Sequence, residues 1–337
     1  MTQHVMQMNQ ADSEADRLAR VALTRLADPG TNIIWSMVQQ TGPTATLDRL
    51  LAGDIDDADL RAAITARTRV VDVRRAAEIA MRRADRSGIR LVTPSDSEWP
   101  APLDDLATVT ADAARHRYSN AMPPLCLWVR GDWPLSDASA HSVAIVGARA
   151  TTEYGLHISG RFASGLAERG WTVASGGAFG VDAAAHRGAL TAPGRRTVAV
   201  LACGLHRPYP AGNAALFDLI ADRGLLVSEW PAGAEPLRHR FLLRNRIVAA
   251  MTAGTVVLEA APRSGTRQML NRALDLNRPA MIVPGPVTSV LSQGCHELLR
   301  RHPATQVVTS VDDVLEEIGQ HVIWLAREYP AADGRQT

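Results

Sequence analysis

Between residues 142 and 285, short apolar segments alternate with helix-length amphipathic segments. The apolar segments are SVAIVG at 142–147, TVAS at 172–175, TVAVLA at 197–202, LLVSE at 225–229, TVVLEA at 255–260 and AMIVPG at 280–285. Helical periodicity fills the intervals at about 153–169, 180–191, 213–223, 238–252 and 265–277, and returns after 293 and from 310. Strands that are apolar on both faces and separated by helices form a parallel sheet covered on both sides. We therefore predict an α/β fold, an extended Rossmann-like, doubly wound, mostly parallel sheet.

The rest of the chain divides by pattern. Residues 1–88 contain short amphipathic segments broken by turns, which predicts a small helical domain. Residues 89–138 are rich in Pro and Trp and predict a connector with one or two short strands that packs on the α/β domain at 139–319. Residues 320–337 form a tail that is too short for another domain.

Composition excludes several kinds of chemistry. All 36 basic residues are arginine, and without lysine the chain has neither a Walker-type phosphate loop nor a Schiff-base amine. The three cysteines lie far apart, which argues against a structural zinc site and against a disulfide scaffold. The first twenty residues are polar, and no long apolar run occurs. We expect a soluble cytoplasmic protein that uses no membrane, metal or cofactor.

Positive charge is concentrated in one region. The net charge of the whole chain is +1, but eight arginines and only two acidic residues lie between 238 and 278, a local net charge of +6. Such a run is either a solvated helix face or an anion-binding surface.

The predicted strands end in sequences that suit anion binding. SGGAFG at 175–180 and SGT at 264–266 each join a strand to a helix, where glycine backbone and helix N–H groups can hold a phosphate. The first strand ends in GAR rather than in a dinucleotide-binding G-x-G-x-x-G, so a nicotinamide dehydrogenase is not expected. Arg149 in this turn suits a phosphate, with a buried pairing to Glu229 or Glu259 as the alternative.

Two further groups of residues are candidate sites. Arg240 and Arg244 are four residues apart and share a helix face, where guanidinium groups can bind phosphate. Asp182 and His186 have the same spacing, for which we favour local structural roles over acid–base or metal chemistry. Ser175 has no recognisable His and Asp partners for a hydrolase triad. No catalytic residue and no metal ligand is therefore predicted.

Seven motifs occur in one order and resemble a known family. They are VAIVGAR at 143–149, ASGGAFGVDAAAHRGAL at 174–190, LACGLHRPYPAGNAALFDLI at 201–220, LLVSEWPAG at 225–233, FLLRNRIVAAM at 241–251, VVLEAAPRSGT at 256–266 and MIVPGPV at 281–287. From about residue 89 to residue 304 the chain is similar to the DNA-processing protein A family, also called Smf. The helical start is similar to that family's sterile-alpha-motif-like (SAM-like) domain.

The resemblance implies a non-enzymatic homodimer that binds and protects single-stranded DNA during natural transformation and helps to load the RecA recombinase. It implies a basic DNA-binding pocket, and the arginine pattern adds two flanking residues to it. The predicted nucleic-acid-binding residues are Arg149, Ser175, Gly176, Gly177, Arg240, Arg244, Asn245, Arg246, Arg263, Ser264, Gly265 and Thr266.

The sequence departs from the family pattern at the pocket rim and at its end. Arg267-Gln268-Met269-Leu270 replaces the family's Leu-Ile-Thr-Ala, and Gly294-Cys295-His296 replaces Gly-x-Asn. The carboxy-terminal winged-helix domain of many members is not expected here. Two alternatives stay open: a nucleoside-monophosphate phosphoribohydrolase of the lysine-decarboxylase-like superfamily, whose Pro-Gly-Gly-x-Gly-Thr-x-x-Glu motif is missing, and a nucleotide-sensing module.

Overall fold

A nine-stranded sheet forms the centre of the molecule. The structure, a computed structural model, describes residues 11–109, 120–194, 196–262 and 264–328. The strands are β1 (Ile89–Val92), β2 (Leu127–Arg130), β3 (Ser142–Gly147), β4 (Thr172–Ser175), β5 (Thr197–Leu201), β6 (Leu225–Ser228), β7 (Gly254–Leu258), β8 (Ala280–Ile282) and β9 (Thr305–Val307). Their spatial order is β1-β2-β6-β5-β4-β3-β7-β8-β9. The β1–β2 and β2–β6 pairs are antiparallel and all others are parallel, so the predicted α/β fold is confirmed.

Five helices precede the sheet and eight accompany it within the described residues. The first five are α1 (Glu14–Leu26), α2 (Asn32–Thr41), α3 (Pro43–Ala52), α4 (Ala58–Thr68) and α5 (Val73–Arg86). The others are α6 (Leu135–Ala140), α7 (Glu153–Glu168), α8 (Val181–Thr191), α9 (Ala214–Arg223), α10 (Arg238–Met251), α11 (Thr266–Asp275), α12 (Val290–Arg301) and α13 (Val311–Glu328). Short 3₁₀ helices lie at Ala101–Ala107 and Ala211–Asn213.

The parallel strands are apolar because helices cover both of their faces. In β3, Val143 and Ile145 pack into a core with α7, α8 and α13, whereas Ala144 and Val146 pack into a second core with α10, α11 and α12. Successive side chains of a strand point to opposite faces, which explains this alternation. All four side chains are at most 5% exposed.

The five N-terminal helices share a core with the sheet. Side-chain caps define several of their starts, with Ser13, Asp57 and Asp72 accepting backbone N–H bonds at α1, α4 and α5. Leu23 and other apolar residues of these helices belong to the same buried cluster as Trp128 of β2. The helical region therefore packs against the β2–β6–β5 side of the sheet.

The connector at 89–138 contains two short strands, β1 and β2, which extend the sheet at one edge. Two features of the architecture differ from the sequence prediction. Strand β9 was not predicted, since it is only three residues long and two of them are exposed. The predicted boundary between 319 and 320 falls inside α13, and the last residues of the predicted tail, 329–337, lie outside the described part of the chain.

Candidate functional site

A cleft of about 950 Å³ opens at the carboxyl ends of the parallel strands. Ligands of open α/β sheets bind at this edge, where loops and helix N-termini expose backbone N–H groups. The loops after β3, β4, β5, β6 and β7 form the cleft together with α10 and α11. Its lining includes Arg149, Asp182, Tyr209, Arg238, Phe241, Leu242, Arg244, Asn245, Ser264, Gly265, Thr266, Gln268 and Leu291.

Arg244 is held against the cleft by backbone groups. Its side chain is 5% exposed, and Nη1 donates a hydrogen bond of 2.8 Å to the carbonyl oxygen of Val200 in β5. The guanidinium lies directly against Gly176, where a Cβ atom would overlap it. The close approach of the arginine therefore favours glycine at 176.

Charge in the cleft is only partly compensated. Burial lowers the pKa of Arg244 to about 10, the negative charge of Asp182 opposes that shift, and the positive charge of Arg149 adds to it. Burial raises the pKa of Asp182, with Arg244 acting in the opposite direction. At neutral pH the cleft contains Arg149, Arg238 and Arg244 against the single carboxyl group of Asp182 among its described lining residues. An anion is the ligand that this balance favours.

The mouth of the cleft combines a cation with two aromatic rings. The guanidinium carbon of exposed Arg149 lies 4.8 Å from the ring centroid of Phe241. Phe241 in turn contacts Tyr209 edge to face, with 5.9 Å between ring centroids. The two acidic residues considered as partners of Arg149 bind elsewhere: Glu229 accepts from Arg246, and Glu259 accepts from Thr151 and Thr152. A ring with a guanidinium on one face offers both stacking and charge to a ligand.

Glu259 fixes the turn that carries Arg149. Its carboxylate accepts hydrogen bonds from the hydroxyls of Thr151 and Thr152 and from the backbone N–H of Thr152, the last at 2.9 Å. Its backbone has a φ of 51°, an uncommon conformation for a residue other than glycine. The residue is 4% exposed. This buried carboxylate therefore joins the end of β7 to the start of α7 and restrains the intervening Arg149 turn.

Arg246 does not lie in the cleft, which corrects the sequence prediction. It is 0% exposed, and Nη2 donates a 2.7 Å hydrogen bond to the carboxylate of Glu229, itself 1% exposed. Gly30 of the helical region lies against it, so that a Cβ there would be 2.8 Å from Arg246 Nε. Residues two apart on a helix do not share a face, so Arg246 points away from Arg244.

The other predicted residues divide into three groups. Asn245, Ser264, Gly265 and Thr266 line the cleft with Arg149 and Arg244. Ser175, Gly177 and Arg240 do not line it: Ser175 Oγ is buried and donates to the Ile145 carbonyl at 2.6 Å, and Arg240 donates to the Glu235 carbonyl at 2.7 Å. Arg263 lies outside the described residues.

The sequence prediction missed Arg238, Phe241 and Gln268 as cleft residues. Arg238 and Phe241 precede Arg244 on α10, and the spacing of three or four residues between successive members indicates a common face. Gln268 follows the SGT turn by two residues and was identified only as a departure from the family pattern. The missed signal was therefore the helical spacing of 238, 241 and 245 within the arginine-rich segment 238–278.

Asp182 and His186 both make local hydrogen bonds. Asp182 Oδ2 accepts a 3.2 Å hydrogen bond from the backbone N–H of Ala178 in the loop before α8. His186 Nδ1 lies 2.8 Å from the hydroxyl of Thr197. Burial lowers the pKa of His186 to about 3, so the ring is neutral at physiological pH.

None of the described residues forms a group of three or more His, Cys, Asp and Glu side chains that could hold a metal ion. Cys126, Cys203 and Cys295 are free and buried, and burial raises the pKa of the Cys126 thiol to about 12. No helix in the described part of the chain has both the length and the apolarity of a membrane span.

Fold and cleft together define a Rossmann-like α/β protein with a cationic cleft at the carboxyl edge of its sheet. The sequence pattern of the family described as DNA recombination-mediator protein A matches residues 90–319. The chain belongs to that family, which confirms the resemblance found in its motifs.

Relatives and solved structures agree with this assignment. A Mycobacterium tuberculosis protein named as a DNA processing protein DprA is 43% identical over 308 residues, covering 91% of this chain and 76% of the relative. The structure of DNA processing protein A from Streptococcus pneumoniae has a TM-score of 0.70 at 28% identity and covers 91% of this chain and 99% of its own. A structure of DNA processing protein A from Helicobacter pylori, described for its single-stranded DNA binding mode, has a TM-score of 0.56 at 26% identity, with 70% and 96% covered.

Proposed function

We propose that this protein binds single-stranded DNA in the cleft, and that it does so as a non-enzymatic mediator of DNA processing. The observation that carries the proposal is the arrangement of Arg149, Phe241 and Arg244 at one sheet edge, with Arg238 beside them. Arginine donates paired hydrogen bonds to phosphate and stays charged at cellular pH. The single-stranded DNA binding mode described for the Helicobacter pylori protein supports the same ligand.

The aromatic rings favour a single strand over a duplex. Phe241 and Tyr209 lie at the cleft mouth, and Tyr209 is 44% exposed. Bases of a single strand are free to stack on such rings, whereas those of a duplex are stacked on each other. Stacking on these rings would therefore add to the electrostatic contribution of the arginines.

We infer a binding role without catalysis, and the burial of the titratable side chains of Asp182 and His186 supports it. Asp182 and His186 make local hydrogen bonds, and His186 is completely buried. General acid–base catalysis needs a group within reach of a substrate proton. The buried imidazole of His186 does not meet this requirement.

The proposal extends to assembly and partner. We infer that the protein is a homodimer and delivers the strand to the RecA recombinase in the cytoplasm. Exposed apolar side chains on α13, Val322 at 58% and Ile323 at 55%, support a surface for a second copy. The description of the family as recombination mediators supports a recombinase as the partner. Size-exclusion chromatography with light scattering tests the first inference, and a RecA pull-down from purified components tests the second.

Fluorescence anisotropy of a labelled single-stranded oligonucleotide, titrated at several salt concentrations, tests the proposed ligand. We expect single-strand-selective binding whose log affinity falls with log salt by about 0.7 per phosphate neutralised. A duplex of the same sequence serves as competitor. Equal competition by the duplex, or no binding at low salt, would refute the proposal.

A further inference from the structure

Two further arginines lie beyond the mouth of the cleft, where the helical region meets the loop after β5. Arg83 of α5 and Arg207 in that loop are both exposed, and neither lines the cleft. Among the residues that the structure describes, the side chain of neither has an ion-pair partner. Their charges are therefore available to a ligand.

Contacts between distant parts of the chain bring these two arginines to one surface. Arg83 reaches from the helical region to the loop that follows β6, where a Cβ atom on Gly233 would lie 3.3 Å from its Nη1. The backbone N–H of Gly233 donates a 3.1 Å hydrogen bond to Nδ1 of His206, the residue before Arg207. The turn at Gly233 thus joins the end of Arg83 to the loop that carries Arg207.

The charges at this surface have one sign. Burial lowers the pKa of His206, and the positive charges of Arg207 and Arg83 lower it further, which agrees with the position of both guanidinium groups near the imidazole. Burial and the charge of Arg83 also lower the pKa of Arg25 in α1. Like charges that the fold holds close together repel each other, and a bound anion relieves this repulsion.

The acidic residues on this side of the molecule compensate a different arginine. Burial lowers the pKa of Arg240, and the negative charges of Asp28 and Glu235 oppose that shift. Asp28 also lies 3.8 Å from Nη2 of Arg67. An anion that reaches this side should therefore contact Arg83 and Arg207 rather than Arg240.

The surface continues from the mouth of the cleft. Arg207 lies two residues before Tyr209, whose ring lines the cleft and contacts Phe241. Cα atoms two residues apart are at most about 7 Å from each other. A strand that leaves the cleft past Tyr209 therefore meets Arg207 first and Arg83 beyond it. This continuity favours the ligand of the cleft over a separate one.

We propose that Arg83 and Arg207 form a second phosphate-binding surface, which holds the part of a single strand that extends from the cleft toward the helical region. This inference rests on the proposed single-stranded DNA binding in the cleft. It gives the helical region a direct part in binding, through Arg83. The cleft alone holds a short strand, and a strand long enough to pass Tyr209 gains two further ionic contacts.

Oligonucleotides of one base composition and increasing length, from about 4 to 16 nucleotides, separate the two surfaces. Arg83→Ala with Arg207→Ala should leave the affinity for the shortest strand that binds unchanged. The same variant should bind the longest strand about threefold to tenfold more weakly, as two exposed ionic contacts allow. For that strand, the slope of log affinity against log salt should become shallower by about 1.4. Fluorescence anisotropy measures both quantities.

Two control variants accompany this test. Arg82→Ala with Arg223→Ala removes two exposed arginines that lie outside the surface, one of them paired with Glu78, and should have no effect at any length. Arg83→Lys with Arg207→Lys keeps both charges and should keep the salt slope. If the double alanine variant loses stability in urea denaturation, Arg207→Ala alone should give about half of the change in slope.

The dependence on length decides the outcome. An equal loss for short and long strands would overturn the second surface, because Arg83 and Arg207 would then act on the cleft itself. An unchanged affinity at every length would also overturn it, and both side chains would be solvated cations only. Absence of binding of any strand by the unmodified protein at low salt would overturn the proposed function together with the second surface.

Discussion

Arg244 and Arg246 occupy the same helix and belong to different regions of the molecule. Arg244 lies in the cationic cleft, next to Asp182 and open to a ligand on one side. Arg246 lies between the sheet and the helical region, paired with Glu229 and excluded from water. One side of helix α10 therefore lines the cleft, and its opposite side packs in the interior of the protein. The comparison shows that a run of arginines does not indicate a single function.

The largest expected effect follows from breaking the buried pair. Arg246→Ala leaves the carboxylate of Glu229 buried without its partner, and we expect the free energy of unfolding to fall by about 3–5 kcal/mol. Urea denaturation followed by circular dichroism measures this loss. The folded fraction should retain the affinity and salt dependence of the unmodified protein.

A paired substitution serves as control for that prediction. Arg246→Met with Glu229→Leu replaces both ionic groups by apolar ones of similar size and should recover most of the lost stability. A stable Arg246→Ala protein with weakened DNA binding would place Arg246 on the cleft side after all, and the contrast with Arg244 would be lost.

The next effect concerns ligand binding without a change in stability. Arg149→Ala together with Arg238→Ala removes two exposed cations from the cleft mouth, and we expect single-stranded DNA affinity to fall roughly tenfold to a hundredfold. The slope of log affinity against log salt should become shallower by about 1.4 if each arginine neutralises one phosphate. Anisotropy titrations measure both quantities. Arg223→Ala in the last turn of α9, remote from the cleft, is the matched control and should change neither.

Glu259 contributes both to stability and to the position of Arg149, so Glu259→Gln tests the two roles together. The amide has only one carbonyl oxygen for the three donors, and its NH₂ group is satisfied only if a threonine hydroxyl turns from donor to acceptor, so we expect a loss of about 1–3 kcal/mol in stability. DNA affinity should fall as well, since the Arg149 turn is released. In a double-mutant cycle, Glu259→Gln should weaken binding less when Arg149 is already alanine. Fully additive losses would show that Glu259 does not position Arg149.

The smallest effect is expected at Arg240, which the sequence placed in the site. Its guanidinium donates to the Glu235 carbonyl and lies 5.8 Å from the ring centroid of Trp230, away from the cleft lining. Arg240→Ala should change stability by about 0.5 kcal/mol or less, as for most surface substitutions, and DNA affinity by less than about twofold. A large loss of affinity in the same anisotropy assay would extend the binding surface beyond the cleft.

Most of the sheet could be predicted from the sequence for a physical reason. Strands β3 and β4 have the predicted limits of 142–147 and 172–175, because parallel strands buried on both faces must be continuously apolar. Strand β9 escaped prediction, because Gln306 and Val307 are exposed and leave no apolar run. Strands β1 and β2 were expected as one or two short strands of a connector, but local sequence does not show which sheet a short strand joins.

The site was predictable only in part. The glycine loops and Arg149 follow strands, and the carboxyl ends of parallel strands must meet at one edge. The shared spacing of Arg240 and Arg244 did not reveal how much of α10 is covered, since every residue from 244 to 251 is buried. Helical periodicity identifies which residues share a face, but it does not show which other parts of the chain cover that face.

The sequence by itself determined the α/β fold, the family and the edge of the sheet at which a ligand would bind. These properties depend on the local hydrophobic pattern and on the order of the apolar segments, and both can be read from the sequence. Only the tertiary structure decided that Arg244 belongs to the cleft and Arg246 to the interior, and that Phe241 contacts Arg149. Those outcomes depend on contacts between residues distant in sequence, such as Gly30 with Arg246, and on the burial that these contacts produce.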